Sequence, residues 1–563
     1  MNRVYWNLRH LCAAAAGVML LAASVPSHAA ATAEALAHTP STAQVSLSLP
    51  PLAKSFDAYV AFIKKVAPEV DIDTELKDIV ADMSKDAKVE GAETIADVLA
   101  AKGIDTDAAI TVFANFEKSL EPIRAAQKGD AGEAGDAEDA DDADEMEEAD
   151  LPDPGIPDVA LLFGVKDKEA AQKSLDEIIA AAPGISADDT EPVDHNGISV
   201  HVYDDYAYFL TDTHVAIGMK DLVATMADEY AAPKAVSYGD TLAAGPNEIV
   251  AMIDGKKFMP LLEEAMPAIA EDMDDAQLAM LKQNLDTYAK AFASGDGAPG
   301  YLTLSLDDKR VDLATHMDTA ANPGLLEISG DAQPFRLSPL LPDNTLTFLT
   351  FKVNDQFREQ FKTQIAPGIG EAVGRDPAEI GMYANQVAQM IGDEVTIGIS
   401  GAENDFPAAF IMLALAQPEQ TKGLLQMLVP AKEAEVYNDT PINAIAAPIP
   451  VPLSMAYPGD FVLVSNNMDG MKAIIDLSKE GKSTEFFSKL NDPLKTDQPR
   501  YMGLVLKTKL FTDVVIPLSA LAGGVPEDAK ETMTRVAELF DELRIMSGVE
   551  GNWAETRVTG YLN

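Results

Sequence analysis

The 563-residue chain has a single cysteine, Cys12. Everything after it is therefore free of disulfides, thiol nucleophiles and thiolate zinc sites. Tryptophan occurs twice, at Trp6 and Trp553, which leaves little material for sugar-stacking platforms. Positive charge is scarce: 42 Lys and Arg stand against 91 Asp and Glu, for a formal charge of −49. Such a field repels nucleic acid and anionic lipid headgroups and favours solubility, so nucleic acid is excluded as a partner. The longest apolar run, Leu11 to Ala23, is too short for a comfortable membrane span, and no transmembrane segment is expected in the mature chain.

The N-terminus has three zones. Arg3 and Arg9 give a positive start, Leu11 to Ala23 is apolar, and Ser27-His28-Ala29 offers small residues at the two positions a signal peptidase must accommodate. This pattern predicts a cleavable signal peptide over residues 1–29 and a periplasmic or secreted mature protein. Cys12 precedes most of the apolar run, where a lipoprotein cysteine would follow it. Loss of Arg3 and Arg9 takes the charge from −49 to −51. The remaining length suits two or more domains, and a chain of this size forms adequate cores without disulfides.

Two stretches have the composition of loose chain. Residues 30–43 are rich in Ala, Thr, Ser and Pro and read as a flexible lead. Residues 129–155 carry 13 acidic residues between Asp130 and Asp153, spaced by Ala and Gly, and read as a disordered acidic insertion. The acidic run lacks the glycine and terminal glutamate order of a calcium-binding EF-hand loop.

The rest repeats itself. Val45 to Leu49 with the amphipathic segment after it, carrying Phe56, Tyr59 and Phe62, matches Leu346 to Val353 followed by Phe357 and Phe361. Ala108 to Phe113 matches Glu394 to Ile399, and Pro157 to Phe163 matches Phe406 to Met412. A helix follows each of the latter pair, with Ala171, Leu175 and Ile178 in one and Leu424, Leu425 and Leu428 in the other. Hairpins come next: Tyr206 to Leu210 with Val215 to Met219, and Leu453 to Tyr457 with Phe461 to Val464. Helices at Asp221 to Met226 and Gly470 to Leu477 lead to strands Glu248 to Ile253 and Tyr501 to Leu506. Each half closes with a helix (Leu281 to Phe292; Val536 to Leu543) and a hairpin (Tyr301 to Leu306 with Val311 to His316; Ile545 to Val549 with Thr556 to Leu562).

This predicts an α+β protein of two similar lobes from an internal duplication, 44–335 and 336–563. Each lobe is expected to be a largely antiparallel sheet with helices packed on one face and the other face open. Phe163-Gly164-Val165-Lys166-Asp167, a strand running into a polar turn before a helix, and the strand motif Val215-Ala216-Ile217-Gly218 resemble those of exported bacterial proteins known only as domains of unknown function. That resemblance implies no catalytic residues.

Chemistry is thinly signalled. His195 and His201, with Asp194, Asp204 and Asp205, form the best local cluster for a metal or general base, although an ordinary surface turn has the same composition. His214 and His316 stand alone, and His38 lies in the lead. Gly398-Ile399-Ser400-Gly401 echoes a nucleophile elbow without its motif. Gly368-Ile369-Gly370-Glu371-Ala372-Val373-Gly374 echoes a phosphate loop, but it follows a helix where a nucleotide loop follows a strand. Methionines 219, 226, 252 and 259 in one half, and 412, 427, 468 and 471 in the other, suit adaptable core packing better than Cu(I) ligation; lining an apolar groove is a third reading. No catalytic or cofactor-binding residue is assigned, no cofactor is expected, and the metal question stays open. The expectation is a non-enzymatic envelope protein that binds a hydrophobic ligand, a peptide or a partner protein. The alternative is a hydrolase whose site is assembled from separated loops.

Overall fold

The computed structural model describes residues 29–121, 157–181, 191–234, 249–269, 298–323, 332–365, 384–428, 431–445, 451–489, 500–517 and 527–563, apart from 69, 307, 387, 404 and 405, together with isolated positions 124, 236, 278 and 282. The acidic insertion 129–155, the glycine run 368–374 and nearly all of the helix expected at 281–292 lie outside these residues, as does most of the signal segment. No described helix is long and apolar enough to cross a membrane.

The chain forms two compact units, Met1–Asp308 and Lys309–Asn563. The first contains β1 (Val45–Leu49), β2 (Ile110–Asn115), β3 (Asp158–Gly164), β4 (Glu191–His195), β5 (Ile198–Tyr203), β6 (Tyr206–Leu210), β7 (His214–Met219), β8 (Ile249–Ile253) and β9 (Gly300–Leu306). Its sheet is antiparallel throughout, in the order β4-β5-β6-β7-β3-β2-β1-β8-β9. The second contains β10 (Arg310–Asp318), β11 (Thr345–Lys352), β12 (Ile391–Glu403), β13 (Phe406–Leu415), β14 (Ala431–Tyr437), β15 (Thr440–Ile445), β16 (Leu453–Ala456), β17 (Phe461–Ser465), β18 (Arg500–Lys507), β19 (Phe540–Glu550) and β20 (Trp553–Leu562). Its order is β14-β15-β16-β17-β13-β12-β11-β18-β19-β20-β10, again antiparallel. Adding ten to each strand number of the first sheet reproduces the first nine positions of the second.

The unit boundary falls before the one expected at 335/336. β10 pairs with β20 from Arg310–Tyr561 to Asp318–Trp553, and a ladder of that length carries β10 into the second unit. The expected helix at 536–543 also ends early: the helix Glu527–Leu539 gives way to β19 at Phe540.

Helices cover both faces at the hairpin end of each sheet, not one face as expected. In the first unit the helix Lys220–Glu229 inserts Leu222, Val223 and Met226 against Phe209 and Ala216. The helix Lys168–Ala181 sets Ala171, Leu175 and Ile179 against Tyr208 and Val215 on the opposite side. In the second unit, Met471, Ile474 and Ile475 of the helix Met468–Glu480 pack with Phe410, Met412 and Leu463. There Leu425, of the helix Pro418–Leu428, reaches Met455 and Val462 on the other face. Neighbouring residues of these strands are both large and apolar, so each face needs its own cover. Each fully buried aliphatic side chain contributes about 1.5–3 kcal/mol.

Two hairpins absent from the sequence reading occupy corresponding places in the two sheets. β4–β5 turns at Asn196-Gly197, with φ of 54° and 88°, and β14–β15 turns at Asn438-Asp439, with φ of 49° and 56°. Consecutive positive φ values are what a tight type I′ turn requires, and Asn, Asp and Gly tolerate them.

A strap precedes β1 in the first sheet and β11 in the second. Residues 30–43, expected as a loose lead, begin inside a helix, Ala29–Ala37, that packs on β1 and β2. Leu36 is 1% exposed, and Ala43 joins the core around Phe113. Ala-rich composition reads as loose only until a sheet is present to pack on. In the second unit, residues 333–341 bury Leu337, Leu340 and Leu341 against Phe348. A Cβ on Gly398 would sit 2.6 Å from Leu341 Cδ2, so any larger residue at this crossing would have to displace the buried Leu341 side chain. The second strap is locked by charge. Glu394 is fully buried and accepts from Leu337 N at 2.8 Å, Arg336 N at 2.9 Å and Lys352 Nζ at 2.9 Å. Lys352 Nζ also donates to Pro334 O, and Arg336 pairs with Asp393 and Asp460.

Candidate functional site

Apolar side chains form an unbroken row across nine strands of the second unit. Successive cross-strand partners are Leu313, Val558, Ile545, Leu504, Leu349, Ile397, Ile411, Val464 and Met455. Strand alternation puts all of them on one face. The helix Pro418–Leu428 covers the Met455 end. Toward the other end the row is open: Leu313 and Ile397 are 39% exposed, Ile411 is 40% and Val558 is 36%. These are four of the eight large hydrophobics exposed among the described residues.

The opposite face of β10, β20 and β19 is buried and charged. Asp312, His316, Glu542, Arg544, Glu555 and Thr559 are each less than 9% exposed. Thr559 Oγ1 donates to Asp312 Oδ1 at 2.5 Å, and Arg310 Nε pairs with Asp312 Oδ2 at 3.1 Å. Arg557 Nε pairs with Glu555 Oε1 at 2.7 Å, and Arg544 pairs with Glu542 while its guanidinium lies 4.4 Å from the Tyr561 ring centre. His316 Nδ1 is 3.7 Å from Glu555 Oε2. Burial pushes His316 down to about 4; Glu555 opposes that shift and Arg557 adds to it. Burial alone would raise Glu555, but the charge of Arg557 and its hydrogen bond bring it below the ordinary carboxylate range. These strands thus hide their charges and show solvent their aliphatic side chains, the reverse of the usual distribution.

The first unit has the corresponding row: Leu302, Ala251, Leu47, Val112, Leu161, Ile217, Tyr208 and His201. Leu161 and Tyr208 are buried there, the latter beneath the helix Lys168–Ala181.

The histidine–aspartate cluster singled out in the sequence is not brought together. His195 sits at the β4–β5 turn, whereas Asp204 and Asp205 lie at the far end of β5. His195 Nδ1 is 3.1 Å from Asp228 Oδ1, and Asn196 Nδ2 donates to Asp228 O at 2.8 Å. Asp194 accepts from Gly197 N, Asp205 pairs with Lys220, and His201 stacks on Tyr208 with ring centres 4.8 Å apart. The second unit makes the same pin with other residues: Tyr437 Oη and Asn438 Nδ2 donate to Asp476 at 2.8 and 2.7 Å. Asp228 and Asp476 are each the ninth residue of their helices. Pinning a hairpin tip to a helix accounts for His195 without catalysis. Asp476→Ala should raise amide exchange across 431–445 several-fold, and unchanged protection there would show the pin to be idle.

Ser400 is 1% exposed inside β12, between Thr345 and Ala408, so it forms no exposed elbow. Met226, Met412 and Met471 are core residues. Among the described residues no group of three or more His, Cys, Asp or Glu side chains could hold a metal. The exposed apolar row was legible only as strand alternation, because its residues come from nine strands distant in sequence.

No protein-family model matches the chain. No curated protein matches it. A solved structure titled "Structure of crystal form I of TP0453" is similar over 40% of this chain and 76% of that one, at 8% identity and a TM-score of 0.20. So slight a likeness carries no argument.

Proposed function

We propose that this is an exported, non-enzymatic binding protein that carries an apolar ligand on the open sheet face of its second unit. The supporting observation is the inverted polarity of β10, β20 and β19: charge is inside and aliphatic surface outside. An aliphatic face is costly to leave in water and marks a binding surface. Of its strands β20 and β19 are flanked on both sides, so their backbone groups are already paired and recognition there falls to non-directional contact. A negative chain further favours an uncharged ligand. Export rests on the N-terminal zones, from which cleavage near Ala29 is expected.

We also read the two units as products of one duplication. The matching pairing orders support this, as do the equivalent hairpin pins and one buried polar pair. Thr111 Oγ1 donates to Ser48 Oγ at 3.1 Å in the first sheet, where Thr350 and Thr396 hydroxyls lie 2.7 Å apart in the second. The register places these pairs at the same crossing.

The test is titration with an uncharged pyrene-labelled long-chain alcohol, beside native mass spectrometry of protein taken from its own envelope. Saturable binding is expected, and Ile397→Thr with Ile411→Thr should weaken it about tenfold, in line with the apolar area removed. A clean apoprotein mass together with no saturable binding would sink the reading.

A further inference from the structure

The two straps occupy corresponding places but are fastened differently. Ser46 faces Phe113 across β1–β2 as Phe348 faces Gly398 across β11–β12. The first strap crosses near Ser46, with Thr39 Oγ1 3.2 Å from Ser46 Oγ, and the second crosses Gly398 through Leu341. The second is tied by the Lys352–Glu394 pair at 2.9 Å and by the Arg336 and Leu337 N–H groups on the same carboxylate, with no imidazole in the tie.

The first strap is tied by imidazoles. His38 stacks on Tyr230, with ring centres 4.5 Å apart and planes 15° from parallel, and its ring centre is 5.2 Å from that of His214. His214 is 8% exposed, and its Nδ1 lies 2.7 Å from Tyr230 Oη and 3.0 Å from Thr213 Oγ1. His38 Nδ1 is buried with no hydrogen-bond partner. The strap helix offers Glu34, whose charge favours protonated His38. The end of the helix Lys220–Glu229 offers Glu229, which is engaged by Ser41 and Lys234; Lys234 also donates to Thr39 O at 2.9 Å. The β6–β7 turn offers Asp212, which is paired with Lys168 at 2.7 Å.

We infer that residues 32–43 are a proton-released strap, held while His38 and His214 are both neutral and expelled when the packed pair takes up protons, whereas the strap at 333–341 stays locked. Two imidazolium rings at this separation repel each other, and a buried ring has no water to solvate its charge. Burial, then the nearby His214, lowers His38 to about 4, and burial lowers His214. Depressed values mean that the hold is complete above the ordinary histidine range near 6.5 and is lost as pH falls toward 4. Near pH 5 the ordinary carboxylates are still ionised, so histidine protonation is the change that remains.

The test is hydrogen–deuterium exchange of the full mature protein at about pH 7 and about pH 5, with labelling times scaled to intrinsic exchange. Protection of 32–43 should fall roughly tenfold to thirtyfold while 333–341 keeps its own. His38→Phe retains the ring on Tyr230 without the proton and should reduce the pH dependence to what His214 alone contributes; His38→Gln serves if that variant folds poorly. Three outcomes would each overturn the inference: equal protection of 32–43 at both pH values, simultaneous loss in both straps, or an undiminished pH effect in the His38 variant.

Discussion

Lys352→Met should destabilise the second unit by about 3–5 kcal/mol, the scale expected when one partner of a buried ion pair is removed. Glu394 is fully buried and keeps its negative charge compensated by Lys352 Nζ at 2.9 Å. Without the lysine, only the amides of Arg336 and Leu337 and distant hydroxyls remain around it. Lys352→Met combined with Glu394→Gln should recover a large part of the loss, because the amide oxygen still accepts from those two N–H groups and no charge is stranded. Urea unfolding with exchange readout on β11 and β12 measures both variants. A single-variant cost under about 1 kcal/mol would mean that the pair is solvated and the strap is not locked by charge.

Acid should weaken the charged layer of the second unit through His316. Its folded value is depressed to about 4, mainly by burial, so its contribution is whole above about 6.5 and is lost as pH drops toward 4. A shift of that size corresponds to about 3 kcal/mol between those limits. His316→Asn is expected to lower stability at neutral pH while flattening this part of the profile. Urea midpoints at about pH 7 and about pH 4.5 decide it. Parallel pH dependence in wild type and variant would place the acid sensitivity in other groups.

Local pattern carried the sequence reading wherever an element could be recognised from its own residues. Alternating apolar positions located β1, β3, β6, β7, β8 and their counterparts, and the order of those segments exposed the correspondence between halves. The same logic passed over β14, whose Lys432, Glu433 and Glu435 look like a charged loop, and β4, where Pro192 argues against a strand. Each forms because a tight turn folds it back onto a neighbour. The helix at 527–539 was set too late because Phe540 and Leu543 fit a helical stripe as well as a strand.

By itself the sequence determined the α+β class, the succession of strands, the lack of any cysteine after Cys12 and the strongly negative field, since these depend on composition and on spacing along one segment. Only tertiary structure decided that β10 belongs with β20, that His195 meets Asp228, that residues 32–43 lie packed on β1 and β2, and that β10, β20 and β19 turn their charges inward. Each of these is a meeting of residues far apart in the chain. A strand's alternation says that its two faces differ, but which face meets solvent is settled by what packs against it.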